Sequence, residues 1–295
     1  MVPISEKVKQ GKILVSDGAW GTFLQQKGLG PGDCPELWNI EQPDEVFEIA
    51  KSYIEAGSDM IETNSFGGSV FKLAPYGLGD RVAELNRAAA EISRRAAGTD
   101  KHVLGSIGPT GKMIMMGDVT FEQLYEGFKE QAVALASGGA DTLVIETMAD
   151  LEEATAAIKA AKENTHCEVI CTMTFEKTGD MAYNTMMGVS PADMLDQIIR
   201  AGAAVVGANC GNGIRNMVDI AKIMREVNPD IPILIHANAG APIYQDGKTI
   251  FPETPEEMAG FVDVLIKAGA NIIGGCCGTS PEHIRQIAAI VRKKF

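Results

Sequence analysis

The chain repeats one pattern of apolar and polar positions four times. Each copy ends a helical pattern with a small residue and a glycine, continues with a short apolar run, and closes on polar residues. The glycine is typical of the left-handed end of a helix, and the apolar run is short enough for a strand buried on both faces. The pattern therefore predicts a helix followed by a buried strand at residues 55–64, 138–147, 200–210 and 267–277.

Further apolar runs before and between these copies predict four more strands, at residues 12–18, 102–108, 168–175 and 232–240. Helical patterns separate the strands. Ser-Pro or Thr-Pro pairs at Ser190, Thr254 and Ser280 mark helix starts, because each places an N-cap residue directly before a proline. Eight strands that alternate with helices predict an α/β protein, a single-domain (β/α)8 TIM barrel over residues 1–295, with an open doubly wound sheet as the alternative.

Composition and charge narrow the range of partners. Hydrophobic residues make up 45% of the 295 residues and charged residues 22%, a globular mixture that excludes a disordered or collagen-like protein. The formal net charge of -13 argues against nucleic acid or an anionic membrane as a partner, since proteins bind both through a positively charged surface.

Neither a membrane span nor an export signal is expected from the sequence. No apolar run approaches the ~20 residues that a membrane span requires, and the N-terminus lacks the apolar core of a signal peptide. We therefore expect a cytoplasmic protein whose six cysteines are reduced.

Polar residues follow most of the predicted strands at their carboxyl ends, where TIM barrels carry their active sites. Buried strands should not end in so many polar groups unless partners or a ligand use them. The set comprises Asp17, Glu62, Asn64, Glu146, Asn209, Cys210, His236, Asn238, Cys276 and Cys277.

The cysteines within this set predict a zinc site. Cys210 follows the sixth strand, and Cys276 and Cys277 follow the eighth, so the three sulfurs can converge over the mouth of a barrel. Neighbouring cysteines do not easily form an unstrained disulfide, but both can bind one ion at a turn. Cys34, Cys167 and Cys171 are interpreted as structural, because free cysteine is commonly a small buried hydrophobic residue.

Three thiolates with one open position suit a particular chemistry. Zinc sites that activate water usually use histidine or carboxylate ligands, which leave the ion more Lewis-acidic. A fourth thiolate on a zinc ion that already has three stays electron-rich and keeps no proton at neutral pH. The ligand set thus favours alkylation of a substrate thiol by nucleophilic displacement at carbon.

Six motifs resemble the homocysteine S-methyltransferase family, and most closely the homocysteine-binding module of cobalamin-dependent methionine synthases. They are DGAWGT (17–22), TNSFGGS (63–69), IGPTG (107–111), ANCG (208–211), ANAG (237–240) and GGCCGT (274–279). The resemblance implies a (β/α)8 barrel that binds zinc through Cys210, Cys276 and Cys277, with the sulfur of homocysteine in the fourth position. It also implies that Asp17, Gly18 and Glu146 contact the amino-acid end of homocysteine.

Asn64, Asn209 and Asn238 are further candidates whose roles the sequence leaves open. They can contact the substrate, brace the zinc ligands or cap the loop backbone. His236 is interpreted as a bracing or core residue rather than as a zinc ligand, since three cysteines are available.

The expected methyl donor is a methylcorrinoid, methylcobalamin or a relative, carried by a separate protein. The sequence contains neither a second barrel for folate nor an Asp-x-His-x-x-Gly segment that would bind cobalamin. The segment 179–191, with Met186 and Met187, departs from the family pattern and leaves other hypotheses open. These are another thiol or methylated compound as substrate, S-methylmethionine or S-adenosylmethionine as donor, and a zinc- and thiol-binding subunit without catalysis.

Overall fold

The computed structural model of the protein describes residues 1–180, 182–245 and 248–294. Within these residues, eight parallel strands form one sheet: β1 Leu14–Val15, β2 Met60–Glu62, β3 His102–Ile107, β4 Thr142–Met148, β5 Glu168–Met173, β6 Val205–Gly213, β7 Ile233–Asn238 and β8 Ile272–Gly275. Their order in the sheet is β1-β8-β7-β6-β5-β4-β3-β2, so β1 pairs with β8. The predicted (β/α)8 barrel is confirmed, and the open doubly wound alternative is wrong.

Helices surround the strands on the outside of the barrel. We number one helix for each strand: α1 Pro43–Glu55, α2 Val82–Ala97, α3 Phe121–Ser137, α4 Leu151–Asn164, α5 Pro191–Ala201, α6 Ile214–Val227, α7 Val262–Lys267 and α8 Pro281–Lys294. Further helices of four to six residues lie at Ile4–Lys9, Gly21–Gln26, Trp38–Glu41, Val70–Leu73 and Pro255–Ala259. The predicted helix starts are confirmed: Ser190 and Thr254 accept hydrogen bonds from backbone N–H groups of the following turn, and α8 begins directly after Ser280.

Two aspartates close the barrel between β1 and β2, the two ends of the hydrogen-bonded order. The carboxylate of Asp59 accepts the N–H of Val15 at 2.9 Å, and the backbone N–H of Asp59 donates to the carbonyl of Val15 at 2.7 Å. Two residues after Val15, Asp17 accepts the backbone N–H of Glu62 through its Oδ2 at 2.9 Å. Side-chain oxygens thus supply acceptors that a regular ladder would take from the backbone.

An apolar layer fills the lower part of the barrel, near the amino ends of the strands. It consists of one buried residue from each strand, together with two from the helix Ile4–Lys9: Ile4, Val8, Leu14, Met60, Leu104, Val144, Ile170, Val205, Leu234 and Ile272. The carboxylate of Glu168 accepts the N–H groups of Ile4 and Ser5 at 2.8 and 3.2 Å, which holds this helix against the barrel floor. The N-terminal helix therefore plugs the lower end.

A polar layer lies directly above the apolar one. Because side chains on a strand alternate between its two faces, the next inward position comes two residues later. Six of those positions are polar and buried, and with Asn209, which lies four residues after the apolar position of β6, we call them the polar layer: Ser16, Glu62, Ser106, Glu146, Thr172, Asn209 and His236. The barrel interior thus changes from apolar to polar toward the carboxyl ends of the strands.

Two antiparallel hairpins follow β5 and β7 and were not predicted from the sequence. The first pairs Glu176–Gly179 with Ala182–Asn184, and the second pairs Ile243–Gln245 with Lys248–Ile250. The first hairpin overlaps the beginning of the segment 179–191, which departs from the family pattern. Met181 within this segment lies outside the described residues. Along the described chain, no helix combines the length and the apolar character that crossing a membrane requires.

The substitution Ile4→Ala should lower the free energy of unfolding by about 2–4 kcal/mol, because it leaves a cavity where a fully buried side chain closes the apolar layer. Urea denaturation measures this change. Val2→Ala, at a side chain that is 48% exposed, is the control and should change stability by less than about 0.5 kcal/mol. Equal effects of the two substitutions would show that the N-terminal helix does not plug the barrel.

Candidate functional site

A cavity of about 270 Å³ opens above the polar layer, at the carboxyl ends of the strands. Its wall combines sulfur, carboxylate and imidazole groups with a glycine-rich turn. Among the predicted site residues it includes Gly18, Asn64, Glu146, Cys210, Cys276 and Cys277, and it also includes Glu62 and His236. The carboxyl-terminal parts of β2, β4 and β6 and the loops after β1, β2 and β8 thus contribute to one concave site, as a TIM barrel requires.

The structure brings the three predicted cysteines together. Their sulfur atoms all lie within 4.8 Å of one another, and the Sγ atoms of Cys210 and Cys277 are 4.0 Å apart. Each of the three residues is partly exposed to the cavity. The other cysteines, Cys34, Cys167 and Cys171, are buried.

The backbone around Cys210 departs from regular strand geometry. Cys210 has a φ of 59° and Gly211 a φ of 68°, both in the left-handed region, and the pairing of β6 with β7 shifts between Asn209 and Gly213. A residue with a side chain is rarely found in this region, where it costs about 1–3 kcal/mol. The surrounding structure therefore holds the Cys210 thiol in a conformation that the chain would not adopt by itself.

Asn209 supplies much of that surrounding structure. Its Oδ1 accepts the N–H of Thr147 at 2.8 Å and the hydroxyl of Thr172 at 2.7 Å, while its Nδ2 donates to Thr147 Oγ1 at 2.7 Å and to Glu146 Oε2 at 3.2 Å. Its Nδ2 also lies 4.0 Å from the sulfur of Cys276. Asn209 is fully buried and braces β4, β5 and β6 beside the cysteines.

The thiols influence one another's ionisation. Hydrogen bonds from Cys276 and Cys277 lower the pKa of the Cys210 thiol to about 2, and the hydrogen bond to Cys210 raises the pKa of Cys277 to about 12. The pKa of Cys276 is raised as well, first by its hydrogen bond to Cys210 and then by its contact with Cys277. One negative charge is therefore stable in the cluster, whereas three thiolates need a cation between them.

Three carboxyl groups lie in or beside the polar layer. Burial raises the pKa of Asp17 to about 6 and that of Glu146 to about 7. Burial also raises the pKa of Glu62 well above its ordinary value, and the neighbouring charges of Glu146 and Asp17 add to this effect. Burial lowers the pKa of His236 to about 4, so its imidazole is neutral at neutral pH.

The predicted substrate-contacting residues fall into two groups. Gly18, Asn64 and Glu146 line the cavity, and Asn64 Nδ2 donates to the carbonyl of Pro35 at 2.7 Å. Asp17 and Asn209 lie behind the wall of the cavity, where each has protein partners for its polar atoms.

Glu62 and Ser106 are site residues that the sequence analysis did not select as substrate contacts. Glu62 was noted only as one of many polar strand ends, and Ser106 lies two residues after an apolar position of the same strand. In both strands a polar residue stands two positions after a buried apolar residue. Residues two positions apart on a strand share a face, so this spacing could have placed both side chains inside the barrel.

Comparisons with known proteins agree with this architecture. The family model described as Homocysteine S-methyltransferase matches residues 14–291. Methionine synthase of Mycobacterium tuberculosis is 32% identical over 298 residues, which cover 95% of this chain and 25% of that protein. Methionine synthase of Mycobacterium leprae is 31% identical over 300 residues, with 96% and 24% covered. The chain thus spans about a quarter of the length of these relatives.

Solved structures show the same fold. The metallated form of the homocysteine methyltransferase MmuM from Escherichia coli superposes with a TM-score of 0.78, at 22% identity, over 97% of this chain and 98% of that chain. Its oxidized form gives a TM-score of 0.76 at 23% identity, over 94% and 96%. At this level of identity the similarity establishes the TIM-barrel fold.

The buried carboxyl groups predict a pH-dependent stability. Since folding raises their pKa values, the folded state binds more protons than the unfolded state between the ordinary values of 3.8 and 4.5 and the raised values of about 6 and about 7. Their contribution to stability is therefore complete at low pH and is lost as the pH rises through this range. Cys210 and His236, whose pKa values folding lowers to about 2 and about 4, contribute in the opposite direction. The contribution of a carboxyl group is therefore measured as the difference between a variant and the parent, both free of metal and fully reduced.

Relative to the parent, Glu62→Gln should gain a few degrees in unfolding temperature between pH 5 and pH 8, because burial raises the pKa of the Glu62 carboxyl group and an amide needs no proton to be neutral. Thermal unfolding followed by circular dichroism measures it. Glu126→Gln, on the exposed side of α3, is the control and should keep the parent profile. A profile of the Glu62 variant that runs parallel to the parent would contradict the assignment.

Proposed function

The chain belongs to the homocysteine S-methyltransferase family, and we propose that it transfers a methyl group to the sulfur of homocysteine, held as a zinc-bound thiolate. The observation that carries the proposal is the convergence of Cys210, Cys276 and Cys277 in the wall of a cavity of about 270 Å³. That volume suits a small thiol amino acid. The product of the reaction is methionine.

The donor set fits zinc. Zinc–sulfur bonds of ~2.3 Å in a tetrahedral site place the sulfurs roughly 3.8 Å apart, and the sulfurs of Cys210 and Cys277 are 4.0 Å apart. Three thiolates this close together also need a cation between them to balance their negative charges. When bound, the ion would take up the substrate sulfur as a nucleophilic thiolate at neutral pH, without a separate general base.

The protein's own residues would orient the reactants. The three cysteines define where the substrate sulfur lies, and Asn209 keeps them in place from behind. Glu146 lines the cavity and presents a carboxylate for the ammonium group, and the glycine-rich turn that begins at Gly18 presents backbone near the same region. Asn64 lines the cavity from the loop after β2.

We propose a methylcorrinoid on a separate protein as the methyl donor. Loops after β2, β3, β5 and β7 expose apolar side chains around the mouth: Phe66, Met115, Met116, Met186 and Tyr244, which are 41–78% exposed. Exposed apolar groups that surround a site are typical of a surface that receives a partner. As the S–CH3 bond forms, the cobalt–carbon bond breaks and its electron pair stays on cobalt, which gives cob(I)alamin.

Zinc binding is tested with Cys210→Ala, which should reduce zinc affinity by more than about 100-fold, since even an outer contact of a metal site contributes about 10- to 100-fold. Competition with a chromophoric chelator measures the affinity. Cys167→Ala, at a buried cysteine away from the cavity, is the matched control and should bind zinc like the parent. Unchanged zinc affinity of the Cys210 variant would refute the proposed ligand set.

Methyl transfer is tested with the zinc-loaded protein, homocysteine and free methylcob(III)alamin. We expect methionine in mass spectra and matching loss of the methylcorrinoid absorbance, both abolished by Cys210→Ala. Methionine formed only from S-methylmethionine or S-adenosylmethionine would refute the corrinoid donor. No product with any of the three donors, despite bound zinc, would refute the enzymatic role.

A further inference from the structure

The wall of the cavity contains acidic groups, and no protein cation lies there to balance their charge when they ionise. Among the described residues that line it, carboxylates and thiols occur, but neither lysine nor arginine does. His236 is the one imidazole in this wall, and it is neutral at neutral pH. Buried carboxylates without a counter-charge are costly unless a ligand supplies one. The cavity therefore favours a ligand with a cationic group.

Asp17 is not the carboxylate best placed to receive that group. Its Oδ2 accepts the N–H of Glu62 and the indole N–H of Trp20, both at 2.9 Å, and its Oδ1 accepts the hydroxyl of Ser16 at 3.2 Å. The side chain is fully buried behind the wall of the cavity. Asp17 is thus engaged in closing the barrel between β1 and β2.

Glu146 faces the cavity but has protein partners on both oxygens. Its Oε1 accepts the hydroxyl of Ser106 at 2.5 Å, and its Oε2 accepts Nδ2 of Asn209 at 3.2 Å. Each oxygen retains capacity for a second hydrogen bond. Glu146 can therefore assist in binding an ammonium group, although its orientation is already set by the protein.

Glu62 differs from both in having an unused oxygen. Its side chain lines the cavity and is 7% exposed, and its Oε1 is buried with no hydrogen-bond partner in the described part of the chain. Nδ1 of His236 lies 3.4 Å from this oxygen, which is longer than a normal N–H···O hydrogen bond. The backbone N–H of Glu62 is held by Asp17, and its side chain forms part of the cavity wall.

We propose that Glu62 binds the ammonium group of the substrate and thereby makes the site specific for amino-acid thiols. The inference rests on the proposed function, and it assigns Asp17 and Glu146 roles that differ from those expected from the sequence. Asp17 acts as a positioning residue through the backbone of Glu62, and Glu146 is a second, partly engaged acceptor. A charge-assisted hydrogen bond from the ammonium group would give the Glu62 carboxylate a donor, whereas its unpartnered oxygen finds none among the described residues.

Two ligands that differ only in the amine separate this role from the rest of the site. Homocysteine and 4-mercaptobutanoate share the thiol, the chain length and the carboxylate, and only homocysteine has the ammonium group. Isothermal titration of the zinc-loaded protein measures the dissociation constant of each. We expect the parent to bind homocysteine more tightly than 4-mercaptobutanoate.

The variant Glu62→Gln should weaken homocysteine binding by about 10- to 100-fold, the range of a lost hydrogen bond to a charged group. Its affinity for 4-mercaptobutanoate should stay at the parent value. Glu62→Asp, which keeps the charge on a shorter side chain, should recover part of the loss. Glu168→Gln, at the opposite end of the barrel, is the control and should bind both ligands like the parent.

The outcomes distinguish this inference from the proposed function. If the parent binds homocysteine and Glu62→Gln weakens both ligands equally, or neither, Glu62 does not bind the ammonium group and the inference is overturned while the function stands. If the parent protein, loaded with zinc, does not bind homocysteine, the proposed function fails and this inference fails with it. Thermal unfolding and zinc content of each variant show that the comparison is made on folded, metal-loaded protein.

Discussion

The closure between β1 and β2 is the constraint on which the site depends. These strands lie at the two ends of the hydrogen-bonded order, and the carboxylates of Asp59 and Asp17 accept backbone N–H groups across the gap. The N–H that Asp17 accepts belongs to Glu62, a residue of the cavity wall. The same hydrogen bond therefore joins β1 to β2 and positions a residue whose carboxyl group lies in the cavity wall.

A second set of contacts performs the same task on the other side of the barrel. Asn209 joins Thr147, Thr172 and Glu146 in one buried network, next to the left-handed backbone of Cys210. Thr147 also has a positive φ, 61°, and the register of β4 with β5 shifts at this point. Unusual backbone conformations are thus concentrated beside the thiols, where a fully satisfied side-chain network holds them.

The electrostatics of the site follow from its burial. Carboxyl groups of the polar layer have raised pKa values because water is excluded, and the clustered thiols favour a single negative charge in the absence of a cation. A dication beside the sulfurs and an ammonium group beside the carboxyl groups would each stabilise ionised forms that the protein by itself disfavours. Proteins commonly carry such unfavourable arrangements at functional sites, where a ligand relieves them.

The sequence by itself determined the order of the eight strands, the helix starts at Ser190 and Thr254, and the convergence of Cys210 with Cys276 and Cys277. These features follow from periodicity, local capping and the rule that parallel strands place their carboxyl ends together. The tertiary structure alone decided that Asp17 closes the barrel, that Asn209 braces the cysteines and that Glu62 keeps an unpartnered oxygen. Alternation along a strand reveals which side chains point inward, but the partner of each depends on the register between strands that are distant in the chain.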